Sequence, residues 1–121
     1  GNGDMAHGAR VLSIQSHVVS GYVGNKAAVF PLQLMGFEVD IVNSVQFSNH
    51  TGYKNKWKGR RYTGDDLLDL IDGMAANGLL QQVTHILTGY VGNDSFLKAV
   101  GQVVARVRQL NPKAVYVCDP V

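Results

Sequence analysis

The strongest constraint on the fold is a change of period along the chain. Short β-branched, apolar runs alternate with segments whose apolar residues recur every three to four positions. Residues 94–110 are the clearest helical segment, with Phe96, Val100, Val103, Val104, Val107 and Leu110 on one face. Asn111-Pro112 ends it, and the apolar run 114–118 follows as a strand. Upstream, 11–14 and 84–88 read as strands, and 37–45 alternates well enough for another. Residues 26–35 carry Ala27, Ala28, Pro31, Leu32 and Met35 at helical spacing, and Gly36 is suited to end that helix. Pro31 conflicts with a helix interior, because it removes a hydrogen bond, yet the spacing still favours helix. Thr63 can cap a further helix with Asp65 and Asp66 in its first turn, an apolar face of Leu67, Leu70, Ile71 and Met74, and Asn77-Gly78 as its stop. No period appears in 46–62, which reads as a long loop.

The order β-α-β-loop-α-β-α-β predicts an α/β protein with a mainly parallel sheet and helices on its faces. With 121 residues and 45% apolar content, one small core is within reach, and 17% charged residues argue against disorder. The net charge of +2 does not point to nucleic acid. No apolar run approaches the roughly 20 residues of a membrane helix. Cys118 is the single cysteine, which excludes an internal disulfide and fits a reducing, cytosolic location. Residues 1–9 read as a flexible leader. Ending at Asp119-Pro120-Val121, just after an apparently buried strand, suggests that more protein follows.

Ligands of such sheets bind beyond the carboxyl ends of the strands. That rule selects 16–25, 44–57, 88–94 and Asp119. Two of the turns nearly repeat, Ser20-Gly21-Tyr22-Val23-Gly24-Asn25 and Thr88-Gly89-Tyr90-Val91-Gly92-Asn93. Glycines there permit close backbone approach to an anion, or simply reflect what such turns favour. Neither a dinucleotide fingerprint nor a P-loop is present. Ser44-Val45-Gln46-Phe47-Ser48-Asn49-His50-Thr51-Gly52-Tyr53 mixes ring faces with hydroxyl, amide and imidazole groups. It suits a small, flat, polar heteroaromatic ligand, or a polar surface loop with a buried aromatic. Lys54, Lys56, Lys58, Arg60 and Arg61 around Trp57 could attract phosphate, but a solvated charge run is the plainer reading. Asp119 at the end of the last strand could serve a cation or phosphate chemistry, or form a turn before Pro120. His17 lies near the end of the first strand, while His7 and His85 read as peripheral or structural.

Five blocks, in order, resemble pyridoxal kinases of the eukaryotic type: Val11-Leu12-Ser13-Ile14-Gln15-Ser16-His17 running into Gly21-Tyr22-Val23-Gly24-Asn25-Lys26; Phe30-Pro31-Leu32-Gln33; Asn43 through Tyr53; Leu87-Thr88-Gly89-Tyr90; and Val117-Cys118-Asp119-Pro120-Val121. The resemblance implies a three-layer α-β-α, ribokinase-like fold, of which 10–121 would be the N-terminal portion of a single domain. It implies ATP-dependent phosphorylation of the 5′-hydroxymethyl group of pyridoxal, pyridoxine and pyridoxamine, giving pyridoxal 5′-phosphate in vitamin B6 salvage. ATP, Mg²⁺ or another divalent cation, K⁺ or Na⁺, a cytosolic location and a homodimer are implied with it. Ser16 and Thr51 would hydrogen-bond the B6 ring. Val23, Val45, Phe47, His50 and Tyr90 would line its pocket, Trp57 would sit in the covering loop, and Asp119 would lie near the monovalent cation and the ATP phosphates. The segment Lys54-Asn55-Lys56 is about one residue longer than in vertebrate members. The family's Gly-Thr-Gly-Asp segment, whose aspartate is the general base, has no match here, so this chain alone is expected to be inactive. A hydroxymethylpyrimidine-type vitamin kinase and a non-catalytic B6-binding protein of the same fold are the alternatives.

Overall fold

The computed structural model describes residues 8–49, 57–89 and 93–118. Five strands, β1 (Arg10–Val18), β2 (Glu38–Phe47), β3 (Gly59–Arg61), β4 (His85–Thr88) and β5 (Val115–Cys118), form one sheet in the order β3-β2-β1-β4-β5. Strands β2, β1, β4 and β5 are parallel, and β3 runs antiparallel against β2. Three α-helices connect them: α1 (Asn25–Leu34), α2 (Gly64–Ala76) and α3 (Asp94–Leu110), with a short 3₁₀ turn at Leu80–Gln82.

Alternation along β1 assigns the layers, because successive side chains point to opposite faces. Leu12 and Ile14 join Val42 and Ile86 in the core beneath α2 and α3, where Leu67, Ile71, Phe96, Val100, Val103 and Val107 meet them. Ser13 and Gln15 face the other way, toward the start of α1. Both faces of β1 are therefore covered, and residues 11–15 are all buried.

The helices form where their caps and periods place them. Thr63 accepts from the Asp66 N–H at 3.1 Å, and the Thr63 N–H donates to Asp66 Oδ2 at 2.8 Å, a reciprocal capping box. Asn93 Oδ1 accepts from the Phe96 N–H at 3.1 Å to cap α3. Pro31 is accommodated inside α1, on an exposed position.

Several expectations need correction. The stretch 46–62 is not one loop, since it contains β3 and the end of β2; three residues are too short to show a period. Strand β1 runs on to Val18, through residues expected to turn, because pairing with β2 continues past Gln15. Leu70 and Leu110, assigned to apolar helix faces, are exposed, since both lie at the margin of their stripes. Strand β5 is not buried either: Val115 and Val117 are 46% and 48% exposed. It is an edge strand, and its packed face consists of Ala114 and Tyr116 alone.

The Thr63 cap gives a pH-dependent prediction. The Thr63 N–H and hydroxyl hold the Asp66 carboxyl below the usual carboxylate range. A depressed folded-state pKa contributes stability above the unfolded value, and that contribution disappears as pH falls through the folded value. Asp66→Asn will therefore flatten the acid limb of the stability profile below about pH 4, measured by urea unfolding across pH. Thr63→Ala will cost about 1 kcal/mol at neutral pH.

Candidate functional site

The four parallel strands point their carboxyl ends to one rim, so the chain just after Gln15, Asn43 and Thr88 shares that edge. Pairing between β1 and β2 slips there: Gln15 opposes Asn43, but His17 opposes Gln46. Two residues, Ser44 and Val45, thus face one, Ser16. A bulge of this kind re-aims the side chains around it. It places Ser16 and Val45, two of the expected ligand-facing residues, in the same irregularity between neighbouring strands.

The turn after β1 closes over Ser16. Gly24 adopts φ +53°, and a Cβ on it would stand 2.1 Å from the Ser16 carbonyl oxygen and 2.6 Å from its Oγ. The Gly24 position therefore accepts glycine alone, and the backbone of the turn rests against the serine. Val23 precedes it, half-buried, and its carbonyl accepts from the Lys26 N–H at 3.2 Å.

A buried polar layer underlies this rim. Ser13 Oγ donates to Asn25 Oδ1 at 2.5 Å, and Gln15 Nε2 donates to Ser13 Oγ at 3.2 Å. Asn25 Nδ2 donates to the Val42 carbonyl at 2.9 Å and to Asn43 Oδ1 at 3.0 Å. Asn25 is 1% exposed. One amide therefore ties α1 to both central strands. Among the described residues no buried side-chain nitrogen or oxygen lacks a partner.

Sequence reasoning did not identify this layer. Its signal was available: Ser13 and Gln15 interrupt an otherwise apolar strand, and buried polar groups need partners. Those partners lie 10 to 18 residues away for Asn25, beyond any local motif.

At the end of β2, Phe47 is 7% exposed and stacks on Trp57, ring centroids 4.1 Å apart and 31° between planes. The structure so brings Ser16 and Val45 into one bulge between β1 and β2, and Phe47 against Trp57. His50, Thr51, Tyr90 and Asp119 lie outside the described residues. His85, expected to be structural, is bonded to Thr84 at 2.7 Å and packs edge-on to Phe37. Thr88, at the end of β4, is buried and bonded to the Tyr116 hydroxyl at 3.0 Å. An open cleft between the first turns of α2 and α3, lined by Asp65, Leu68, Asp94 and Lys98, contains none of the expected site residues. Among the described residues no group of three or more His, Cys, Asp or Glu could hold a metal ion, and no helix is long and apolar enough to cross a membrane.

A serine hydroxyl, valine side chains and a stacked aromatic pair at one rim can hold a flat ring and hydrogen-bond its edge. Known proteins similar to this chain are pyridoxal kinases. The chain is 61% identical to a pyridoxal kinase of Arabidopsis thaliana over 112 residues, which is 93% of this chain and 36% of that protein. It is 58% identical to that of Bos taurus over 117 residues, 97% of this chain and 37% of the relative. A structure of the Leishmania donovani pyridoxal kinase in complex with ADP and pyridoxamine matches with a TM-score of 0.86 at 46% identity, over 91% of this chain and 40% of that one. No protein-family model matches. The chain thus spans somewhat over a third of the length of the curated relatives it matches. The resemblance read from the sequence is borne out, and the mostly parallel sheet with helices on both faces is the ribokinase-like architecture of these kinases.

Proposed function

We propose that this chain is the B6-binding part of a pyridoxal kinase, which moves the γ-phosphoryl group of ATP to the 5′-hydroxymethyl group of pyridoxal, pyridoxine or pyridoxamine. The observation that carries the reading is the rim itself. Ser16 and Val45 share the bulge between β1 and β2, and the Phe47–Trp57 stack stands at the end of β2. The Leishmania donovani structure with ADP and pyridoxamine supports both the nucleotide and the vitamer. In this reading residues 10–121 are part of one kinase domain and residues 1–9 a leader.

Phosphoryl transfer needs the acceptor hydroxyl and the γ-phosphate in line, with the charge neutralised. The part of this chain is to hold the acceptor. Ser16 and Thr51 bond the polar edge of the pyridine ring. Val23, Val45, Phe47, His50 and Tyr90 enclose it, and Trp57 covers it from solvent. Asp119 serves the monovalent cation and the phosphates; K⁺ or Na⁺, together with Mg²⁺ or another divalent cation, would supply the charge neutralisation. The general base would come from outside these 121 residues. A cytosolic homodimer belongs to the same proposal.

The test is turnover by the full-length protein with ATP, Mg²⁺, K⁺ and each vitamer. Pyridoxal 5′-phosphate should form from pyridoxal, residues 1–121 alone should give no product, and Ser16→Ala should raise KM for pyridoxal about tenfold through one lost ring hydrogen bond. Preferred phosphorylation of hydroxymethylpyrimidine, or pyridoxal binding without turnover, would overturn the reading.

A further inference from the structure

Phe47 has an unusual neighbour across the sheet. In the antiparallel pair of β2 with β3 it stands opposite Gly59, and Val45 stands opposite Arg61. Residues two apart on a strand share a face, so Arg61 projects to the side that carries Val45 and Phe47, and Trp57, just before β3, reaches the Phe47 ring. Gly59 has φ +150°, and a Cβ there would lie 2.0 Å from the Gln46 carbonyl oxygen. The middle position of the three is thus held empty of side chain. A side chain there would run into the main chain of β2 at Gln46 and Phe47, so β3 lies close against that strand.

The two flanking side chains close on that ring. Trp57 stacks at 4.1 Å, and the Arg61 guanidinium carbon lies 5.3 Å from the Phe47 centroid and 5.4 Å from that of Trp57. Arg60, the next residue in the same basic run, sits instead over Tyr62 at 5.5 Å. Lys58, Arg60 and Arg61 are exposed, as expected of a solvated charge run, and the two arginines lie against different rings. A guanidinium is planar and permanently charged, so it can lie against two rings at once.

We infer that Arg61 is a positioning residue, which clamps Phe47 and Trp57 into one wall at the carboxyl end of β2. For catalysis this rests on the reading that those two rings face the B6 ring; the clamp itself rests on the geometry alone. The test uses the full-length protein with Arg61→Ala, Arg61→Lys and, as a charge-matched control, Arg60→Ala. Trp57 emission is isolated by difference against Trp57→Phe. In Arg61→Ala that emission should shift to the red. KM for pyridoxal should rise about fivefold (about 1 kcal/mol), with kcat within about twofold. Arg61→Lys should recover part of both effects, because it keeps the charge and loses the planar contact, and Arg60→Ala should produce neither. Unchanged Trp57 emission in Arg61→Ala, or equal effects of the two alanine variants, would overturn the inference. An emission shift with KM unmoved in both Arg61→Ala and Trp57→Phe leaves the clamp standing and removes Trp57 from the proposed B6 pocket.

Discussion

Gly24→Ala will destabilise the protein by about 2–5 kcal/mol and will abolish tight pyridoxal binding. Two costs combine. A left-handed conformation costs a residue with a Cβ about 1–2 kcal/mol, and φ at this position is +53°. The second cost is contact. The new methyl would stand 2.1 Å from the carbonyl oxygen of Ser16, which is main chain of a central strand and cannot swing aside. Overpacking of this kind adds about 1–3 kcal/mol. The turn has to retreat from Ser16, and Val23, expected to line the B6 pocket, moves with it. Urea unfolding and pyridoxal titration of the full-length protein measure the two effects. A Gly24→Ala protein of unchanged stability with ordinary pyridoxal affinity would contradict the packing described for this turn.

The second large effect belongs to Asn25. Asn25→Ala removes a side chain that accepts from Ser13 and donates to the Val42 carbonyl and to Asn43. Each buried group left without a partner costs about 1–3 kcal/mol, so about 3–5 kcal/mol is expected in all. Ser13→Ala alone should cost less, since Asn25 keeps its donors engaged. The pair Asn25→Ala and Asn43→Ala should cost clearly less than the sum of the two, because they share one hydrogen bond. Additive losses in urea unfolding would show that the two amides act independently.

Much of this was legible beforehand, for reasons that differ between residues. The 3.6-residue stripe of α3 and the Thr63 capping box are local: all the atoms that decide them lie within a few residues. The rim was legible because parallel strands collect their carboxyl ends at one edge whatever the loops contain. Phe47 and Trp57 could be listed as pocket candidates. Their mutual stacking and the role of Arg61 could not, because both depend on β3, a strand of three residues with no period of its own. The basic run is solvated as read, with Lys58, Arg60 and Arg61 exposed, but nothing in the order Lys58-Gly59-Arg60-Arg61 shows that alternate members face opposite sides of a sheet.

The sequence by itself determined the alternation of strands and helices, the Thr63 cap of α2, and the end of the sheet at which a ligand can sit. These follow from periodicity and capping chemistry, which act over a few residues. Only the tertiary structure decided that β1 slips against β2 at Ser16, and that Asn25 closes a polar layer between α1, β1 and β2. It also decided that pairing of β3 with β2 brings Trp57 and Arg61 onto the Phe47 ring. Each of these joins residues brought together by pairing across the sheet. That pairing is selected by the fit of a whole buried surface, and no short stretch of chain contains it.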